Sequence, residues 1–139
     1  MTEVTVQNTG LRRDTKDKYY TRDFIVEQCM YIIKNTIDID FNDDLIIEPS
    51  AGNGAFIEKI KELCSNHVFY DIAPENENEN IIQQDFLETS ITEQSYKNIH
   101  VIGNPPFGRQ SCLALRFIRH ASTFVNTISF ILPKSFKKQ

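Results

Sequence analysis

Two short apolar runs in this chain, Leu45-Ile46-Ile47 and His100-Val101-Ile102, each end directly in a loop rich in glycine and proline. The first loop is Glu48-Pro49-Ser50-Ala51-Gly52-Asn53-Gly54, and the second is Gly103-Asn104-Pro105-Pro106-Phe107-Gly108. Four of the five glycines and three of the five prolines sit in or beside these loops. A brief apolar run bounded by turn residues reads as a buried strand. Two strand ends that open into specially shaped loops constrain the fold, because ligands of open α/β sheets bind outside the carboxyl ends of the strands.

The rest of the chain fits that frame. Ile25, Cys29, Ile32 and Ile33 recur at helical spacing behind Thr21 as N-cap and Asp23 in the first turn. A second helix is expected from Gly54–Ala55, burying Phe56, Ile60 and Leu63. A third is marked by Leu113, Phe117, Ile118 and Ala121. Further strands are expected at His67–Asp71, Ile81–Gln84, Ile99–Gly103 and Thr127–Leu132, the last stopped by Pro133. Strands that alternate with helices predict an α/β fold: a Rossmann-like, doubly wound, mostly parallel sheet of about five strands. Residues 1–18 are polar and unpatterned and read as a flexible arm or an early substrate-side loop, with residues 19–139 as one folded core.

No apolar run approaches the ~18 residues of a membrane span, and no secretory signal pattern opens the chain. Cys29, Cys64 and Cys112 stand in apolar helical contexts, which predicts buried, reduced thiols and a reducing intracellular compartment. His67, His100 and His120 form no ligand pair with a cysteine, so no metal site is expected. Net charge is −4, but it is unevenly spread. Asp38 to Glu93 carries fourteen acids against two lysines, whereas Asn104 to Gln139 carries six basic residues and no acid. The basic part is either a solvated face or a surface that steers an anionic partner to the substrate side, with Arg109 nearest the second loop.

In the first loop Gly52 suits a tight turn, and Gly54 leaves room for a ligand against the backbone. A structural turn without a ligand would use the same residues. Asp71 ends the second strand seventeen residues past Gly54, where an acid is either a turn residue or the acceptor for ribose hydroxyls. The third glycine of a dinucleotide fingerprint is absent, which favours a mononucleoside-type cofactor. Asp85 ends the third strand as a turn residue or as an acceptor for an adenine amine. In the second loop, Pro105 and Pro106 remove two N–H donors and stiffen the backbone. They fix the Pro105 carbonyl beside the Asn104 amide oxygen, so that two acceptors aim at one NH₂ group. Phe107 offers a face on which a planar group can stack, worth ~1–3 kcal/mol for a base.

From Tyr19 to Phe136 these residues resemble the class I S-adenosylmethionine-dependent methyltransferases, and within them the N6-adenine amino-methyltransferases. Glu48 to Phe56 resembles the cofactor loop, and Asn104-Pro105-Pro106-Phe107 resembles the catalytic Asn/Asp-Pro-Pro-Tyr/Phe motif. Lys18-Tyr19-Tyr20-Thr21 resembles the segment that touches the methionine end of the cofactor. Phe130 to Phe136 resembles the end of the fifth strand. The resemblance implies S-adenosyl-L-methionine bound by Tyr20, Thr21, Glu48, Pro49, Ala51, Gly52, Gly54, Asp71, Asp85, Phe86 and Asn104. It also implies catalysis by Asn104, Pro105, Pro106 and Phe107, with Phe107 and Arg109 on the substrate. The implied reaction is direct methyl transfer to the N6 amine of adenine in DNA or RNA.

That family's sheet has seven strands, and many members carry a target-recognition region; this chain supplies about five strands and neither addition. The open edge of the fifth strand predicts a protein partner or self-association. Two further readings share the motifs. One is a methyltransferase for a glutamine or asparagine amide in a protein. The other is a non-catalytic cofactor-binding subunit of a larger complex.

Overall fold

The structure, a computed structural model, describes residues 22–52, 54–75, 80–91, 95–134 and 136. The arm at 1–18, Tyr20 and the expected N-cap Thr21 lie outside the described residues. Five strands form one sheet: β1 Leu45–Glu48, β2 His67–Asp71, β3 Ile81–Gln83, β4 Ile99–Gly103 and β5 Thr127–Phe130. Their order is β3-β2-β1-β4-β5, and every pairing is parallel. This is the doubly wound, Rossmann-like sheet that the alternation predicts.

Strand pleating explains the layers. Ile46, Phe69, Ile81 and Ile102 pack with helices α1 (Asp23–Thr36) and α2 (Ile57–Leu63) on one face. Leu45, Ile47, Ile99, Val101 and Ile128 pack with helix α3 (Cys112–Ala121) on the other. Within the second layer Phe117 stacks against Phe86 with ring centroids 5.3 Å apart. β1 and β4 are neighbours, yet the loop after β1 leads to α2 on one face and the loop after β4 to α3 on the other. The two Gly/Pro loops therefore diverge from adjacent strand ends and leave a crevice between them.

Three local expectations need correction. α2 begins at Ile57, not at Gly54–Ala55, because Gly52 and Gly54 both take positive φ (60° and 87°) and the turn must finish first. β5 ends at Phe130; Ile131 and Leu132 stay buried beyond it. Cys112 is exposed while Cys29 and Cys64 are buried. As the first residue of α3 it lies on the face that the helix turns to solvent. Burial raises the Cys29 thiol to about 11, which keeps it protonated and inert. No helix among the described residues is long and apolar enough to cross a membrane.

At the opposite end of the sheet from the two loops lies a buried polar cluster that no motif or periodicity predicts. Asp44, just before β1, is fully buried. Its Oδ2 accepts from His100 Nε2 at 2.8 Å and from the Asp40 backbone N–H at 2.9 Å. Its Oδ1 accepts from the Asn98 N–H at 3.1 Å. Because the ionised Asp44 needs a donor, the His100 Nε2 carries the proton. On its other side the ring places Nδ1 2.7 Å from the Thr127 hydroxyl. One carboxylate thus fastens the entries of β1, β4 and β5.

Candidate active site

The crevice at the carboxyl ends of the strands is a cavity of about 240 Å³. Its walls include Pro49 and Gly52 from the first loop, Asp71 from β2, and Asp85 and Phe86 from the end of β3. Asn104, Pro105 and Pro106 come from the second loop. Residues from Pro49 to Phe117 meet there because β3, β2, β1 and β4 are adjacent in the sheet.

Asp71 organises the acidic side. Its Oδ2 accepts from the Gly52 N–H at 2.7 Å and its Oδ1 from the Ala73 N–H at 2.8 Å. Its backbone carbonyl takes the Gln84 N–H at 2.9 Å, and the Tyr70 carbonyl takes the Ala51 N–H at 2.8 Å. The glycine loop is therefore pinned to β2 by backbone donors. Asp85 caps a short 3-10 turn, Phe86–Glu88, through an Oδ1 contact to the Leu87 N–H at 2.9 Å. A turn role does not exclude a ligand role for these two acids, since a carboxylate has four acceptor positions.

Glu48 ends β1 with 1% exposure, and its Oε2 has no hydrogen-bond partner among the described residues. Burial, and then the charge of Asp71, push it well above the usual carboxylate range and favour its neutral form. Gly103 lies against it: a Cβ there would approach the Glu48 Cγ to 3.3 Å.

The second loop is fixed from both sides. The Ser50 hydroxyl donates to the Asn104 carbonyl at 3.1 Å and ties the two loops together across the crevice. The Ile131 N–H donates to the Gly103 carbonyl at 3.1 Å. Asn104 is one of the lining residues, with its amide Oδ1 buried, and the Pro105 carbonyl takes no hydrogen bond from the described residues. Gly108 has φ +72°, and a Cβ there would come within 2.7 Å of the Leu113 Cβ, so only glycine fits the turn into α3.

Not every expected residue reaches the cavity. Glu48 and Ala51 lie buried, Gly54 shapes the turn behind the wall, and Arg109 is exposed beside it. Phe107 is 8% exposed and packs in the interior cluster with Ala114, Phe117 and Phe130, outside the cavity lining. Its carbonyl receives the Leu113 and Ala114 N–H groups at 3.1 and 3.3 Å, and this holds the residue down against the start of α3. The walls also contain Ser50, Ile72 and Arg116, which the motifs did not single out. Ile72 is 66% exposed directly after Asp71; an apolar residue left in solvent at a strand end was the available signal. Among the described residues no group of His, Cys, Asp and Glu could hold a metal ion.

Residues 42–139 match the EDM2 methyltransferase-like domain, from the turn before β1 to the end of the chain. The chain belongs to that family. Both loops, the cavity and α3 thus fall inside a methyltransferase-like domain. The chain is also similar to Ribosomal RNA small subunit methyltransferase A of Metamycoplasma arthritidis (strain 158L3-1), 30% identical over 116 residues. That match covers 76% of this chain and 43% of the relative, so the chain spans less than half of the relative's length.

Proposed function

We propose that this chain is an S-adenosylmethionine-dependent methyltransferase that methylates the exocyclic N6 amine of adenine in nucleic acid. One observation carries the reading: a ribose-type acceptor, Asp71, and a proline-stiffened amine acceptor, Asn104-Pro105, face one cavity at the sheet's switch point. The residues also suit a positively charged cofactor. Glu48 is a buried carboxyl beside a second acid, with one oxygen unpartnered among the described residues, an arrangement that a nearby cation would relieve.

S-adenosylmethionine, when bound, supplies an electrophilic methyl group on a sulfonium. Asp71 would accept from the ribose hydroxyls, and the second oxygen of Asp85 from the adenine amine. Pro49 and Gly52, on the cavity wall, would hold the methionine end, with Glu48 and Gly54 shaping the loop behind them. An aromatic amine is a weak nucleophile because its lone pair is shared with the ring. Asn104 and the Pro105 carbonyl would accept its two N–H bonds, favour the pyramidal nitrogen and stabilise the positive charge that grows there. Phe107 would stack on the base only after turning out of the interior cluster. A base drawn from a duplex must first be flipped out of the stack. The relative's name, which specifies ribosomal RNA, supports a nucleic-acid substrate.

The test is transfer of a labelled methyl group to separate DNA, RNA and protein pools, followed by nuclease digestion and nucleoside analysis. Label is expected in N6-methyladenine; label found solely in protein, or in no pool, would overturn the assignment. Asp71→Ala should weaken cofactor binding roughly 10- to 100-fold, the loss of one or two hydrogen bonds to a charged acceptor. Calorimetric titration reads it, and an unchanged affinity would remove Asp71 from the site.

A further inference from the structure

α3 carries its charge on one side. Ala114, Phe117 and Ala121 are buried against the sheet, while Cys112, Arg116 and Arg119 face solvent at i, i+4 and i+7. Arg109, in the turn before the helix, is exposed as well. None of these three arginines makes an ion pair or a hydrogen bond through its side chain among the described residues. The sequence keeps them unneutralised, with no acidic residue anywhere from Asn104 to Gln139 in a chain whose net charge is −4.

Arg116 is more than a surface charge, because it forms part of the cavity wall. The cavity therefore has two electrical sides. Asp71 and Asp85, at the ends of β2 and β3, suit ligand groups that donate hydrogen bonds. Arg116, on α3, suits an anion. A single small anion would need one such cation. Here Arg119 stands one turn further along the helix, its Cβ ~5–6 Å from that of Arg116, and Arg109 extends the positive surface toward the Asn104-Pro105 loop. A row of cations leading out of a cavity fits a polymer with regularly spaced charges.

We infer that Arg116 and Arg119, assisted by Arg109, hold successive backbone phosphates of the nucleic-acid strand whose target base enters the cavity. This rests on the nucleic-acid reading above and assigns the part of the protein that grips the polymer. Such contacts position a strand without reading its sequence.

The experiment is binding of a fluorescent single-stranded oligonucleotide over a range of salt concentrations. The proteins are wild type, Arg116→Ala/Arg119→Ala, Arg116→Lys/Arg119→Lys, and Lys34→Ala on the distant helix α1. Each lost phosphate contact lowers the slope of log K against log salt by ~0.7 for a single strand. The double alanine variant should lose about 1.4 in slope, whereas the lysine pair and Lys34→Ala should keep the wild-type value. An unchanged slope in the alanine variant, or an equal loss in the lysine variant, would overturn the assignment. Absence of oligonucleotide binding by the wild type would overturn it too. Cofactor titration of the wild type separates the two layers: if cofactor binds and the slope does not respond, the phosphate assignment alone fails. If no cofactor binds, the methyltransferase reading fails first.

Discussion

Replacing Asn104 with alanine should lower the methyl-transfer rate by about 10²- to 10³-fold, the range found when one charge-stabilising group is removed from a preorganised site. Cofactor affinity should stay nearly intact. The reason is where the acceptor acts. The substrate amine is nearly planar and neutral before the reaction and pyramidal and positive in the transition state, so an oxygen facing it binds the second far better than the first. The backbone carbonyl of Asn104, which takes the Ser50 hydroxyl, survives the substitution, and the two prolines still stiffen the loop. A single-turnover rate measured beside a cofactor titration checks this. A parallel fall of rate and affinity would mean that Asn104 serves the cofactor and not the amine, and an unchanged rate would exclude it from the chemistry. The contrast with Asp71→Ala, which should act on affinity first, divides the cavity into a cofactor side and a substrate side.

The strands were legible because each is an apolar run closed by a residue with a reason to be there. β1 is closed by Pro49, β2 by Asp71 and β4 by Gly103 beside the Asn-Pro-Pro loop, and the structure matches each within one residue. Parallel pairing followed from the alternation with helices. The cavity was legible from the two loops, since Gly52, Asp71, Asp85 and Asn104 do converge. Packing decides the rest. Phe107 follows a proline pair and reads as a presented ring, but the free N–H groups at the start of α3 capture its carbonyl and hold it against the interior. Arg116 belongs to a helix face that sequence periodicity identifies as solvent-exposed; only the docking of α3 on the Phe86–Glu88 turn brings it to the cavity wall. His100 sits in an apolar strand, and its partner Asp44 lies 56 residues earlier, so the pair exists only once β1 and β4 are neighbours.

That pair carries the largest expected effect on stability. Asp44→Ala should destabilise the fold by about 3–5 kcal/mol, the cost of leaving several buried donors without their charged acceptor. For a domain of this size, that is a fall of roughly 10–15 °C in Tm. Three donors lose their acceptor at once: the Asp40 N–H, the Asn98 N–H and the His100 Nε2–H. His100 is 2% exposed, and water cannot replace the carboxylate there without opening the sheet. Thr127→Ala removes a single hydroxyl contact to the same ring and should cost only about 0.5–1.5 kcal/mol. The two substitutions therefore separate loss of the charge from loss of one neutral hydrogen bond. Acid supplies a third comparison. Burial alone would raise the Asp44 carboxyl, but the hydrogen bond from His100, the backbone donors and the attraction of the ring outweigh it and hold the carboxyl below the ordinary value. A carboxyl whose folded-state value is depressed stabilises the fold above its unfolded value of ~3.9, and that contribution disappears as pH falls through the folded-state value. Thermal melts from pH 7 down to pH 3 should show the wild-type advantage over Asp44→Ala constant to about pH 4 and shrinking below it. An advantage that persists unchanged at pH 3, or a Tm loss no larger than that of Thr127→Ala, would mean that the β1, β4 and β5 entries are held together by apolar packing and not by this carboxylate.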